Sequence, residues 1–317
     1  MNLADKRILV TGGSGLVGQH LLAELKARGC RQVHAPRSQQ SDMRKAGDVA
    51  RLFDEVKPQV VFNLAAKVGG ILDNKMYPAD FYFENILIGA YTIDNAAKHK
   101  VEAVVSLGAG CGYPLKLPEP LREEDFFDGF PQTESAPYSL AKKMLIIQSI
   151  AYRQQYGLRS LVLIPSNLYG AHDNFNLMQS HVLPALVRKF YEATVQNQPR
   201  VEVWGDGSAK RDFIHAADVA DGMCQVVEKY DSEKPLNLAM GHQTSVRDVV
   251  ELLREISGYR GEVFWNTDKP SGQKSREFSM ENLRKALPDF RPKIDLRAGL
   301  EMTYRWFAEN YATQARL

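Results

Sequence analysis

Residues 8–18 read Ile8-Leu9-Val10-Thr11-Gly12-Gly13-Ser14-Gly15-Leu16-Val17-Gly18. The three leading apolar residues predict a buried strand. Leu16 to Ala27, with Leu21, Leu22 and Leu25 on one face, predicts a helix. Between them Gly12, Gly15 and Gly18 stand three residues apart. Glycine at such positions permits a tight turn, close approach of backbone to a pyrophosphate, and contact of helix with sheet. The helix N-terminus then offers free N–H groups and positive potential to phosphates. A glycine-rich turn without a ligand has the same composition, so the weight lies on its place directly after the first strand. That place predicts a dinucleotide site touched by Gly12, Gly15, Leu16, Val17 and Gly18.

Outward from this unit the same alternation repeats. Strands are expected at Gln32–Ala35, Val60–Phe62, Val101–Leu107 and Leu161–Ile164, with helices at 49–56, 78–98 and 138–152. Strands that are apolar throughout are buried on both faces, which indicates a parallel sheet covered by helices. The expected fold is α/β, a Rossmann-type doubly wound parallel sheet over residues 1–165, followed by a smaller C-terminal substrate-binding lobe over 166–317. Some segments of the second part are expected to return to the first domain. Further helices are expected at 182–193, 216–229, 246–256 and 296–309, and short strands at 201–204 and 262–265. Tyr169–Asn176, rich in Gly, His, Asp and Asn, reads as a site-building loop.

Among 317 residues, 40 Lys+Arg face 38 Asp+Glu for a net charge of +2, which argues against a nucleic-acid protein built on a basic face. At 44% hydrophobic and 25% charged, the composition excludes a disordered or collagenous chain. Cys30, Cys111 and Cys224 show neither close pairing nor metal-ligand spacing, so no metal is expected and a reducing, cytoplasmic setting is. The opening MNLADKRILV lacks the apolar run of a secretory signal. No window approaches the ~18–20 apolar residues of a membrane span, so no membrane partner is expected.

Two further stretches speak to chemistry. After the second strand the chain reads Ala35-Pro36-Arg37-Ser38, with no carboxylate before Asp42. An acidic residue there would favour NAD, whereas the Arg37 guanidinium suits the 2′-phosphate of NADP; a solvated surface arginine is the competing reading. Asp42 is assigned to the adenine edge. Tyr138-Ser139-Leu140-Ala141-Lys142 sets Tyr138 and Lys142 one helical turn apart, where an ammonium favours the phenolate and makes the pair a proton exchanger for a carbonyl. With 13 tyrosines this spacing also arises by chance, so its value comes from lying late in a dinucleotide-binding domain. There the chain resembles an extended short-chain dehydrogenase/reductase.

The resemblance sharpens over longer segments. Asn63-Leu64-Ala65-Ala66-Lys67-Val68-Gly69-Gly70-Ile71, Asn167-Leu168-Tyr169-Gly170-Ala171-His172-Asp173-Asn174-Phe175 and Ser180-His181-Val182-Leu183-Pro184-Ala185-Leu186 are similar to segments of GDP-L-fucose synthases. So are Val203-Trp204-Gly205-Asp206-Gly207, Arg211-Asp212-Phe213-Ile214-His215 and Lys269-Pro270-Ser271-Gly272, in the family's order across nearly the whole chain. That family epimerises C3 and C5 of GDP-4-keto-6-deoxy-mannose and reduces C4 with NADPH. The resemblance implies NADP(H) contacts at Leu64, Ala65, Ala66, Lys142, Pro165, Asn167, Leu168 and His181. It makes Cys111 the epimerisation base, His181 the acid, and Tyr138 with Lys142 the proton donor for reduction. Lys189, Trp204, Arg211 and Arg276 would bind the GDP of the keto sugar, and the family's homodimer would form through helices near 85–98 and 138–152.

Bland alternatives stand beside these roles: a buried free thiol for Cys111, a helix-capping histidine for His181, and solvated charges for the basic residues. Arg188, adjacent to Lys189, is an equal candidate to turn inward. One position departs from the family. In Leu107-Gly108-Ala109-Gly110-Cys111-Gly112, Ala109 stands where a Ser or Thr normally binds the C4 oxygen, and Gly110 and Gly112 are smaller than usual, which is expected to widen the site. Loss of an oriented donor to a developing alkoxide can cost ~2.7–4 kcal/mol. An introduced substitution, a slower enzyme relying on Tyr138, and a relative acting on a different or larger sugar all fit. A C4 reductase or an epimerase alone, and a non-catalytic NADP(H)-binding protein, therefore remain alternatives.

Overall fold

The structure is a computed structural model describing residues 1–269, 273–313, 315 and 317. Pro270, Ser271 and Gly272 of the last matched segment lie outside the described residues.

The chain opens with β1 (Arg7–Thr11), α1 (Leu16–Ala27), β2 (Gln32–His34), α2 (Ala46–Val56), β3 (Val60–Asn63), the short α3 (Ile71–Met76), α4 (Pro78–Lys98) and β4 (Ala103–Leu107). It continues through α5 (Ala136–Tyr156), β5 (Ser160–Pro165), β6 (Asn167–Tyr169) and α6 (Val182–Val195). Then come β7 (Arg200–Trp204), β8 (Lys210–Arg211), β9 (Phe213–His215), α7 (Ala216–Lys229), β10 (Leu236–Leu238) and β11 (Thr244–Ser245). The last elements are α8 (Val246–Ser257), β12 (Glu262–Asn266), α9 (Glu281–Ala286) and α10 (Leu296–Asn310).

Six strands form one parallel sheet in the order β10-β5-β4-β3-β1-β2. From β1 the chain steps outward to β2 and then back across to β3. The carboxyl ends of β1 and β3 therefore flank a topological switch point, where open α/β sheets bind ligands. Alternation along the strands sorts the core into two layers. Ile8, Val10, Phe62 and Val105 pack with Leu21, Leu25, Val219 and Met223 of α1 and α7. Leu9, Val61 and Val104 face the other way, onto Phe53, Ile88, Ile93 and Leu145 of α2, α4 and α5. A third cluster, including Phe190, Val203, Val250, Leu253 and Phe307, is built by α6, α8, α10 and β7.

Local signals explain the helix ends. Proline opens α4 and stands in the first turn of α5, and α5 stops at Gly157 in the left-handed region (φ 69). Although they follow residue 165, β10 pairs with β5, and α7 packs on α1. The buried Asp212 ties this return together. Its carboxylate accepts from Ser166 Oγ at 2.8 Å and from the backbone N–H groups of Met240 and Gly241 at 2.9 and 2.8 Å. Among the described residues no helix is long and apolar enough to cross a membrane.

Candidate active site

At the switch point the glycines take three different tasks. Gly12 sits at φ +69, and a Cβ there would lie 2.7 Å from the backbone of Leu64 and Ala65. A Cβ on Gly18 would lie 2.3 Å from Gly12 O, so this residue serves helix packing. Gly15 has only Gly12 O nearby, at 3.3 Å, and its outer side is open. It starts α1 with no side-chain cap and no acidic residue in the first turn, leaving the positive helix end unopposed. Thr11 Oγ1 accepts from Leu64 N and Ala65 N at 3.2 Å each and donates to Asn63 Oδ1 at 3.1 Å, which holds the loop carrying Leu64, Ala65 and Ala66 beside Gly12.

Beyond β2, Arg37 is exposed, and its guanidinium has no hydrogen-bond partner among the described residues. Asp42 is engaged locally: Arg44 binds both its oxygens at 2.9 Å, which holds the carboxyl down at about 2, and Arg44 reaches on to Glu84 of α4. Pro165 ends β5, and Asn167 and Leu168 lie in β6, where Asn167 Nδ2 donates to Asp212 O at 2.9 Å. An open helix N-terminus, a backbone cradle that admits no Cβ, and a free guanidinium past β2 together fit a dinucleotide bearing a 2′-phosphate.

The titratable side chains of Lys142, Tyr138 and Cys111 converge at the carboxyl end of β4. Lys142 Nζ donates to Leu107 O at 3.0 Å and stands 5.9 Å from the centre of the Tyr138 ring, which meets Phe81 edge-on. Burial lowers the Lys142 ammonium to about 8. Tyr138 differs from the expectation of a favoured phenolate. Burial, reinforced by the nearby Cys111, pushes its phenol well above the usual range, so it keeps its proton at neutral pH. A protonated phenol is the form that donates to a ketone being reduced.

Cys111 occupies the 3-10 turn Gly110–Gly112 that follows β4. Ser139 Oγ lies 3.1 Å from Cys111 O and 3.3 Å from Cys111 Sγ. Arg276 donates through Nη2 to Gly110 O at 3.2 Å and through Nη1 to Gln273 Oε1 at 2.8 Å. Burial raises the thiol above its ordinary value, and the Ser139 hydrogen bond and the charges of Arg276 and Lys142 oppose that rise only in part. The flanking glycines do not widen the site. A Cβ on Gly110 would lie 2.7 Å from Phe278 Cζ, and one on Gly112 would lie 2.4 Å from Phe126 Cζ. Two core aromatic rings fill the space that the missing side chains vacate. Ala109 is buried beside them.

His181 directly precedes α6, and its loop docks on the segment after β3 through Gly70 N donating to Gln179 O at 2.6 Å. His181 is exposed as a residue, while the protein around its ring lowers its pKa by burial.

The basic residues fall into two groups. Burial depresses the guanidinium groups of Arg211 and Arg276, the charge of Arg276 depresses Arg211 further, and the Glu119 carboxylate opposes both shifts. Two partly desolvated guanidinium groups whose charges interact suit a multiply charged anion such as a diphosphate. Separately, Lys189 donates to Glu202 O at 2.9 Å and stands 5.7 Å over the Trp204 ring, with Lys269 equally distant. Trp204 remains 37% exposed, so an aromatic face is available. Arg188 is occupied by Glu192 and Phe175 O, which leaves Lys189 as the neighbour of Trp204. Ser139, Glu119 and Asp212 were not singled out by the sequence, because their importance lies in contacts made across 28 residues of chain for Ser139 and Asp212 and 124 for Glu119.

Comparison with known proteins agrees with this geometry. Residues 8–241 match the model of the NAD dependent epimerase/dehydratase family. GDP-L-fucose synthase 1 of Arabidopsis thaliana is 36% identical over 311 residues, covering 98% of this chain and 96% of the relative. The structure of a GDP-L-fucose synthetase from Naegleria fowleri bound to NADP superposes with a TM-score of 0.92 at 28% identity, covering 99% and 97% of the two chains. A GDP-6-OMe-4-keto-L-xylo-heptose reductase from C. jejuni superposes with a TM-score of 0.91 at 28% identity, covering 97% and 99%. The chain belongs to the NAD dependent epimerase/dehydratase family, with GDP-L-fucose synthases among its full-length relatives.

Proposed function

We propose that this protein is an NADPH-dependent epimerase/reductase that converts GDP-4-keto-6-deoxy-mannose to GDP-L-fucose. The observation that carries the reading is the convergence of Cys111, Tyr138 and Lys142 within electrostatic reach of one another at the carboxyl end of β4. NADPH, when bound along Gly12, Gly15, Leu16, Val17, Gly18, the 64–66 loop and Arg37, supplies the hydride that C4 receives.

The chain's own residues handle the protons. The C4 ketone acidifies the hydrogens on C3 and C5. Cys111 as thiolate takes one of them: the C–H bond breaks, an S–H bond forms, and the electron pair moves to the carbonyl oxygen as an enolate. His181 as imidazolium returns a proton to the opposite face of the carbon and inverts it. Burial lowers its pKa, which makes the imidazolium the stronger acid and also the less populated form at neutral pH. The pair resets by proton exchange with solvent, the Cys111 thiol releasing a proton and His181 taking one up, and then serves the second carbon. In the reduction Tyr138 passes its phenolic proton to the C4 oxygen, and the Lys142 ammonium, anchored on Leu107 O, steadies the phenolate left behind. Arg211 and Arg276 bind the diphosphate, and Lys189 and Trp204 contact the nucleotide.

Incubation with GDP-4-keto-6-deoxy-mannose should oxidise NADPH in preference to NADH and yield GDP-L-fucose, and Tyr138→Phe should slow turnover by about a hundred-fold. No oxidation of either cofactor would overturn the reading. A second reading, C4 reduction alone on another GDP-4-keto sugar, is favoured by Ala109 and by the likeness to the heptose reductase.

The enzyme is proposed to be a cytoplasmic homodimer. Phe83, Leu87 and Ala90 on α4 and Leu140, Met144, Ile147 and Ala151 on α5 lie at i, i+4, i+7 spacing and are at least partly exposed. The two helices pack so closely that a Cβ on Gly89 would lie 3.1 Å from Leu145 Cδ1. A second copy would cover the resulting apolar face with a four-helix bundle.

A further inference from the structure

Ser139 follows Tyr138 on α5, and its side chain is completely buried. Its hydroxyl has one hydrogen and two acceptors within reach, Cys111 O at 3.1 Å and Cys111 Sγ at 3.3 Å. A hydroxyl hydrogen rotates to suit the better acceptor. Beside a neutral thiol that acceptor is the carbonyl oxygen. Beside a thiolate it is the sulfur, because a hydrogen bond to an ionised acceptor is roughly twice as strong.

The surroundings allow little else to move. Phe126 and Phe278 occupy the space next to Gly112 and Gly110. Arg276 pins the turn from the other side, through Gly110 O at 3.2 Å and Tyr113 O at 3.5 Å. The Tyr113 ring is itself wedged edge-on against Phe126 and Phe278, and its hydroxyl donates to the buried Asn237 at 2.7 Å. With the backbone of the turn locked, the group free to answer a change of charge on sulfur is the hydroxyl hydrogen of Ser139.

We propose that Ser139 is a positioning residue for proton abstraction, its hydroxyl turning from the Cys111 carbonyl to the Cys111 sulfur as the thiol becomes a thiolate, holding that sulfur in place and aiming it at the substrate. The first turns of α5 then serve both half-reactions: Tyr138 and Lys142 the reduction, Ser139 the epimerisation. The catalytic consequence rests on the assignment of Cys111 as the base; the coupling between the hydroxyl and the sulfur does not.

The test is the pH dependence of Cys111 alkylation by iodoacetamide in the full-length protein, read by mass spectrometry so that Cys30 and Cys224 are resolved separately. In Ser139→Ala the alkylation midpoint should rise by about one pH unit, and the rate below the midpoint should fall about tenfold. Ser139→Thr, which keeps the hydroxyl, should restore the wild-type midpoint. Deuterium uptake at C3 and C5 of the keto sugar should slow in the same proportion in the alanine variant, with NADPH affinity unchanged. An unshifted midpoint in an alanine variant that binds NADPH normally would overturn the proposal. An alanine variant too unstable to bind NADPH would assign the hydroxyl to the fold and overturn it equally. If the midpoint shifts but Cys111→Ala still exchanges both protons, the hydroxyl–sulfur coupling stands and Cys111 loses the role of base.

Discussion

Two glycine-flanked turns lie at the same edge of the sheet, one after β1 and one after β4, and they use glycine in opposite ways. At Gly12-Gly13-Ser14-Gly15 the missing side chains create room: Gly12 needs a positive φ and a bare face against the Leu64–Ala65 backbone, and Gly15 leaves a helix end open. At Gly110-Cys111-Gly112 the missing side chains are replaced by the rings of Phe278 and Phe126, and the result is a packed, immobile turn. In sequence the two stretches look alike. Only the packing decides whether a glycine opens a site or clamps one.

The comparison breaks most visibly at Gly12. Gly12→Ala combines a left-handed backbone strain of about 1–2 kcal/mol with a backbone clash that no rotamer relieves. NADPH binding, followed by fluorescence titration, should fall by more than about a hundred-fold. Gly112→Ala meets the side-chain ring of Phe126 instead of backbone, so overpacking should cost about 1–3 kcal/mol in thermal or urea denaturation with NADPH binding retained. Adding Phe126→Leu should recover part of that loss. Weakened NADPH binding in Gly112→Ala with unchanged stability would mean that the β4 turn is open after all.

Smaller effects sharpen the account of the chemistry. Ala109→Ser introduces a hydroxyl donor on the turn after β4 and should raise the rate of NADPH oxidation about tenfold if C4 reduction is limiting, leaving proton exchange unchanged. Lys142 adds a pH dependence whose sign follows from its depressed pKa. It is charged below about 8, so turnover should decline as pH rises through about 8. Between there and the unfolded value of 10.5 the unfolded chain binds more protons, so this residue's effect on stability improves with rising pH over the same window. Rate and stability profiles with opposite slopes are the expected signature.

Much of this was legible in the sequence because unbroken apolar runs and glycine spacing act locally. The strands β1, β3, β4 and β5 and the long helices lie within a few residues of where periodicity puts them. What was not legible depends on distant partners. The strand β10 is three residues long with Asn237 at its centre, and a polar residue there gives no strand signal. It is buried because Tyr113, Leu121, Ser279 and Glu123 satisfy it. Ser139 beside Tyr138 likewise gave no sign that it sits beneath the Cys111 sulfur. The phenolate expected at Tyr138 followed from the spacing to Lys142. Burial, which spacing does not reveal, pushes the phenol up and keeps it protonated.

The central claim is that one site performs two chemistries, with Cys111 and His181 moving carbon-bound protons and Tyr138 with Lys142 serving the reduction. It is tested most directly by NMR of the product formed from GDP-4-keto-6-deoxy-mannose and NADPH in deuterated water. The expected product is GDP-L-fucose carrying deuterium at both C3 and C5, with exchange lost in Cys111→Ala and retained in Tyr138→Phe while reduction slows about a hundred-fold. A reduced product with no deuterium at either carbon would contradict it and make the protein a C4 reductase alone.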